Sequence, residues 1–401
     1  MKNGVALLVL AYLGFVSLGL PDGLLGVAWP SMRESFGLRL DALGPLLVAT
    51  TGGYVFASFA SGWILARINV GALLALSCLA TGAGLLGYAG APSFAVVIGF
   101  GVFAGLGAGA IDAGINTYVA TNHGPRTVSW LHACYGVGAA LGPAVMTRVL
   151  ADDLPWQRGY LLVALAQLAL AAAFTATASR WPRVGEADSA SDSSVANAPA
   201  RETLRLRAAV LGVLAFFAYT GIEATAGAWS YSLLTQARGL SLAAAGFWVS
   251  AFWVGLTVGR IASGAIARAL EAPALLSLSL AIAGAGAVLL WLAPWPALAA
   301  SGLALLGLGC GPIFPTLIAA TPARVGLTHA GNAVGFQIAA AALGQSLLPW
   351  IVGAFAGRIG LEVVGPALFL ALALLAAICE LTRRTPSARP ADAELLGSRA
   401  S

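Results

Sequence analysis

Asp112 is the one Asp, Glu, Lys or Arg between Arg67 and Arg126, and Asn116 follows it by four residues. On a helix that spacing puts both side chains on one face about one turn apart. Together they would offer a hydroxyl-bearing molecule both acceptors and a donor. Two further acids stand in apolar runs, Asp22 in "GLPDGLLG" and Glu223 in "YTGIEATAGAW". A charge at membrane depth is costly and by default faces a bundle interior or an aqueous cavity. A carboxylate deprived of water also holds a proton more readily. The chemistry these three acids offer is reversible proton binding; sodium would use the same oxygens. Each has a plainer reading beside it: Asp112 as a permanently protonated acid linking helices, Asp22 as an interfacial cap, Glu223 as a helix-pinning hydrogen bond.

Other polar side chains accompany the acids. His132 and Tyr135 in "SWLHACYG" are three apart, and the His reads equally as a proton relay or substrate contact and as an interhelical donor. Asn332, Gln337 and Gln345, with the aromatics Tyr219, Trp229 and Trp253, would suit a sugar, whose ring faces stack on apolar surfaces while amides bind hydroxyls. The alternative for the amides is glue between helices. Pro21 beside Asp22 is expected to open or break its helix. Pro312 and Pro315 in "GCGPIFPT" remove backbone donors and predict a kinked, hinge-like helix. Arg67 closes "SGWILAR", and Arg260 with Arg268 frames "GRIASGAIAR"; these read as helix-end residues that brace one state or anchor at the interface.

The elements that must position these groups follow from composition. Of 401 residues 59% are hydrophobic and 9% charged, with a mean hydropathy of +0.88; soluble domains carry about 25% charged residues. Apolar runs of a length that crosses a bilayer, about 20 residues, recur twelve times, at 5–30, 41–66, 70–90, 92–121, 127–150, 159–179, 207–233, 240–268, 272–292, 296–320, 327–356 and 361–381. The first resembles a signal peptide but has no small-x-small cleavage site and reads as a retained helix. With the N-terminus inside, 14 of the 21 basic residues fall on cytoplasmic segments, which predicts both termini in the cytoplasm. The four Cys lie in apolar spans without paired spacing. "GAGLLG" at 82–87 matches a dinucleotide fingerprint, but no strand precedes it, and no Walker sequence is present. No cofactor, metal or nucleic-acid partner is expected; a lipid bilayer, a small-molecule substrate and protons are, and the chain is expected to be a monomer.

The segment between spans six and seven, rich in Ser, Ala, Asp and Arg, predicts a flexible linker. The halves on either side repeat one another: "GLGAGAI" at 105–111 returns as "GLGCGPI" at 307–313, "AALG" at 139–142 as "AALG" at 341–344, and "SGWI" at 61–64 as "SGAI" at 263–266. All three share an offset of 202 residues. The scaffold is duplicated while the charge is not, since Asp112 meets Phe314 and Asn116 meets Ile318. The expected fold is an all-α membrane protein, twelve helices in two pseudo-symmetric six-helix bundles with a site near the midplane between them. The bundles are expected at 1–180 and 207–382, with a linker at 181–206 and a disordered tail at 383–401.

These features together resemble the major facilitator superfamily, and within it the fucose:proton symporter group. The resemblance rests on Asp22 in "LPDGLLGVAWP", on Asp112 with Asn116, on "WLHACYGVG" and on "IFPT". It implies a proton-coupled transporter working by alternating access in a bacterial inner membrane, with protonation and sugar binding at Asp112, where that group commonly has Glu. His132 stands where the group has Asn. Two other readings stay open: a proton-antiport exporter of drugs or metabolites, and a non-transporting receptor or scaffold.

Overall fold

A computed structural model describes residues 2–123, 125–183, 198–266 and 270–385. Arg268, most of the expected linker and most of the tail lie outside these residues. Among them are twelve helices long and apolar enough to cross a membrane. The first half comprises α1 (Lys2–Ser35), α2 (Leu43–Leu65), α3 (Val70–Gly90), α4 (Phe94–Asn122), α5 (Pro125–Ala151) and α6 (Gln157–Thr177). After a single turn, α7 (Ala200–Thr203), the second half runs α8 (Arg207–Ser232), α9 (Leu242–Ile266), α10 (Ala272–Leu292), α11 (Pro296–Cys310), α12 (Ile313–Val325), α13 (Leu327–Ile359) and α14 (Val364–Arg383).

The unbroken α1 and the docked linker flanks depart from the sequence reading, whereas the break in the tenth span falls at the prolines expected to kink it. α1 continues unbroken through Pro21. The span expected at 296–320 is divided into α11 and α12 at Gly311–Pro312. Pro312 and Pro315 cannot donate to the carbonyls one turn back, and the Thr316 amide and hydroxyl both turn to the Pro312 carbonyl. The flanks of the expected linker are docked. Trp181 is buried against Tyr118 and Phe174, and the Ala198 carbonyl accepts a 2.7 Å bond from Asn332.

The internal repeat survives in three dimensions. Gly53 packs on the backbone at Val102 and Leu106 of α4, and Gly255 packs on Ala304 and Leu308 of α11. Gly105 approaches Thr50 and Tyr54, while Gly307 approaches Phe252 and Leu256; Gly107 meets Ser77 and Thr81, while Gly309 meets Ser279 and Ala283. In every pair both partners move by 202. Where lipid tails are as apolar as the side chains, small residues that let backbones approach supply the attraction between helices, and this spacing has been kept in both halves.

The halves meet along α1 with α8, α2 with α13 and α5 with α9. Close approaches between the halves are Gly26 on the Gly227 carbonyl, the Trp350 ring over Gly44, the Thr147 side chain on Gly246 and the Thr257 side chain on Gly136. The first three lie toward the membrane face opposite the one that carries Lys2 and Arg383, and the fourth lies beside Tyr135. Among the described residues no hydrogen bond or ion pair joins the six-helix halves, so parting them breaks only van der Waals contacts. A side chain at Gly26 would strike the Gly227 backbone, which has no rotamer with which to yield. Gly26→Val is therefore expected to hold this face apart. Spin labels placed at its rim would read a longer distance than in the parent chain, and an unchanged distance distribution would refute the closure described.

Candidate translocation site

α1 and α5 interlock through two small-xxx-small ladders. Gly19 and Gly23 of α1 lie on the backbone of α5 at Tyr135 and Ala139, and Gly138 and Gly142 of α5 lie on that of α1 at Val16 and Leu20. This approach brings the Tyr135 hydroxyl to Asp22, to whose Oδ2 it donates at 2.8 Å. A second ladder, Gly105 and Gly109 of α4, seats the α2 backbone from Thr50 to Tyr54. Asp112 follows Gly109 by three residues, and the Tyr54 hydroxyl donates to its Oδ2 at 2.5 Å. Asn116 donates to the other oxygen at 2.8 Å and to the Asp112 carbonyl at 3.0 Å.

The third acid is held differently. Tyr219, one turn earlier on the same helix, donates to Glu223 Oε2 at 2.7 Å. Arg260 of α9 reaches the same carboxylate with Nη2, at 3.2 Å from Oε2 and 3.4 Å from Oε1. The side chains of this ion pair are 19% and 13% exposed. All three carboxylates therefore accept a tyrosine hydroxyl, but among the described residues only Glu223 also has a cation. The three acids, their tyrosine partners, Asn116 and Arg260 make up the polar cluster of the site.

Of the remaining sequence candidates, His132 is exposed and stands edge-on to Phe15 at 5.6 Å between ring centroids, one turn from Tyr135. Trp229 and Gln337 do not join the cluster. Trp229 is fully buried, donates from Nε1 to the Pro349 carbonyl at 2.8 Å, and is packed on Gly353, so it braces α8 on α13. Gln337 is 3% exposed, accepts from Thr321 and lies on Gly212. Gly212 is eleven residues from Glu223, about 16 Å along α8. Asn332 holds the linker end rather than facing the cluster, and Gln345 is exposed. Pro312 sits at the helix break and Pro315 in the first turn beyond it.

Two members of the site were not singled out from the sequence. Tyr54 is 58 residues from Asp112, and the signal that could have found it is the Gly105/Gly109 ladder, which demands a close partner helix. Arg260, read above as a helix-end residue, instead lies inside α9 with Glu223 as its partner; an arginine two turns from the end of an apolar span needs such a counter-ion. Removing one partner of a largely buried pair strands the other charge, at a cost of about 3–5 kcal/mol. Arg260→Met is expected to lower thermal stability in detergent by that order, and adding Glu223→Gln is expected to restore most of it. Equal melting of Arg260→Met and the parent would contradict the pairing.

Comparison with known proteins agrees with this architecture. The sequence model described as Major Facilitator Superfamily matches residues 11–269 and 211–399. "Bypass of stop codon protein 6" of Saccharomyces cerevisiae is 24% identical, over 90% of this chain and 79% of its own length. A "Glucose/galactose transporter" of Brucella abortus is 25% identical, over 83% and 84%. Among solved structures, a bacterial homolog of the human lysosomal transporter Spinster, described as inward-facing and unoccupied, superposes with a TM-score of 0.79 at 15% identity, over 96% of this chain and 97% of that one. The E. coli fucose:proton symporter superposes with a TM-score of 0.62 at 14% identity, over 94% and 98%. With its twelve spans, its 202-residue repeat and a family match along almost its whole length, this chain belongs to the Major Facilitator Superfamily of integral membrane transporters.

Proposed function

We propose that the protein is a proton-coupled transporter of a monosaccharide or related polyol, with Asp112 and Asp22 as the groups that bind and release the coupled proton. The observation that carries this is the unequal charge compensation of three otherwise similar acid–tyrosine pairs. Glu223 is balanced by Arg260 in both protonation states of its neighbours, so it is suited to hold that cation in place. Asp22 has a hydroxyl donor and Asp112 a hydroxyl and an amide donor, with no cation on either among the described residues, and a proton is the charge that balances each of them at membrane depth. Asp112 with Asn116 also offers acceptors and a donor to sugar hydroxyls. Filling that site changes the surroundings of the same carboxylate that binds the proton, which is how two ligands acquire a coupling free energy. The 25% identical relative described as a glucose/galactose transporter supports a sugar.

Alternating access fits the contact between halves, which among the described residues holds no hydrogen bond or ion pair and is close-packed toward one face. With both termini cytoplasmic, as the arginine distribution implies, that closed face is the outer one and the site opens inward. The protein would then work in a bacterial inner membrane without help from a second copy.

In proteoliposomes with an inward-directed proton gradient, a panel of sugars should reveal one that accumulates with the gradient. Asp112→Asn is expected to abolish that accumulation, and Asp22→Asn to reduce it at least about tenfold, the size of a typical 1.4 kcal/mol coupling. Sodium-driven uptake indifferent to pH, or full accumulation by Asp112→Asn, would overturn the assignment.

A further inference from the structure

The first half holds a cavity of about 60 Å³ between α1, α2, α3, α4 and α6, whose lining residues, Asp22 among them, all belong to this half. Its wall includes Thr81, Tyr160 and Gln167, which are 3%, 1% and 0% exposed. Thr81 Oγ1, the Tyr160 hydroxyl and Gln167 Oε1 have no hydrogen-bond partner from the protein. The Gln167 amide nitrogen does have one, the Ser17 carbonyl at 3.0 Å, so the side chain is fixed with its oxygen unpaired. Asp22 lines the same cavity. Three orphaned polar atoms around one space are a costly arrangement in a buried bundle unless something bonds them, because each stranded group costs about 1–3 kcal/mol.

The duplicated half shows that this space is not imposed by the scaffold. At the 202-residue offset, Thr50, Thr81 and Tyr88 of the cavity wall become Phe252, Ala283 and Leu290. All three are core residues at 1% exposure or less. The equivalence of Thr81 and Ala283 is also spatial, since they pack against Gly107 and Gly309. The same helices can therefore close with apolar side chains, and the first half instead presents hydroxyls and an amide.

We propose that this cavity is a bound-water site that hydrates Asp22 from inside the N-terminal bundle. Thr81 and Tyr160 each bring a hydroxyl proton that needs an acceptor, while Gln167 Oε1 needs a donor. A water molecule both donates and accepts and can serve all three. A bare cation would bond the lone pairs and leave both hydroxyl protons unplaced. The volume exceeds the roughly 10–15 Å³ that one water needs, so a small cluster fits. Its consequence for Asp22 is a wet face that a substrate in the space between the halves does not cover. The carboxyl stays able to exchange its proton while the central site is filled. That consequence rests on the coupling role proposed above; the water site itself does not.

Radiolytic hydroxyl-radical labelling of the full chain in nanodiscs, in H₂¹⁸O, tests the site without any transport assay. Radicals born from bound water should oxidise Tyr160 at several times the rate of Phe174, a fully buried residue of the same helix. The double variant Thr81→Val, Gln167→Leu should bring Tyr160 down to the Phe174 rate with the melting temperature retained. Tyr160 labelling at the Phe174 rate in the parent, or labelling unchanged in a folded double variant, would overturn the proposal. So would saturable ²²Na⁺ binding that the double variant loses, which would assign the cavity to a cation. Loss of sugar accumulation with Tyr160 labelling intact would count against the transport reading alone.

Discussion

A carboxylate held at membrane depth must be met by donors from neighbouring helices, and in this protein the donor is each time a tyrosine hydroxyl. Much of the surrounding architecture serves that meeting. A tyrosine reaches an acid on a neighbouring helix at hydrogen-bond distance only when the helix backbones run close together, which requires glycine on the facing stripes. The ladders at Gly19/Gly23 with Gly138/Gly142, and at Gly105/Gly109, provide that approach for Asp22 and Asp112. The third pair, Tyr219 with Glu223, needs no neighbour because the two lie one turn apart on α8. There the neighbouring helix α9 contributes Arg260 instead, with its backbone near Gly311. The 50 glycines of the chain, which would weaken helices in water, serve here as the means of bringing donors to charges.

The halves themselves are joined in the opposite manner. Within each half, polar bonds and interlocked backbones fix the acids. Between halves, the described residues share no hydrogen bond or ion pair, and the contacts named above are made by glycines, Trp350, Thr147 and Thr257. A two-state rocking motion favours such an interface, because the energy of the two arrangements then differs by little and a change of one charge at the site can tip it.

The features that sequence reveals here are those written in local periodicity. Twelve spans follow from apolar run lengths, and the duplication follows from short matches whose common offset reappears as paired glycine contacts. The three acids stand out because almost nothing near them is charged. What was hidden depends on which way a side chain faces and what arrives from far along the chain. Tyr54 meets Asp112 across 58 residues, and the place of Arg260 near the end of an apolar run does not reveal that Glu223 is its partner. Trp229 and Gln337 were plausible sugar contacts by type, yet both point into the packing of their own half. Pro21 was expected to break α1, but a proline needs only the loss of one backbone bond, and the helix continues on either side. The unequal packing of the two duplicated cores, polar in one and apolar in the other, does not show in the matching segments because the polar wall residues Thr50, Thr81, Tyr160 and Gln167 lie outside them.

The central claim is that sugar binding and proton binding occupy the same group of side chains around Asp112 and Asp22. Its most direct measure is calorimetry of sugar binding to the purified protein in buffers of different ionisation enthalpy, near neutral pH. The slope of binding enthalpy against buffer enthalpy counts protons exchanged with each sugar bound. The account predicts a slope that departs clearly from zero in the parent chain and falls to zero when both aspartates are replaced by Asn. A slope of zero in the parent, with sugar bound across the pH range at constant affinity, would contradict it.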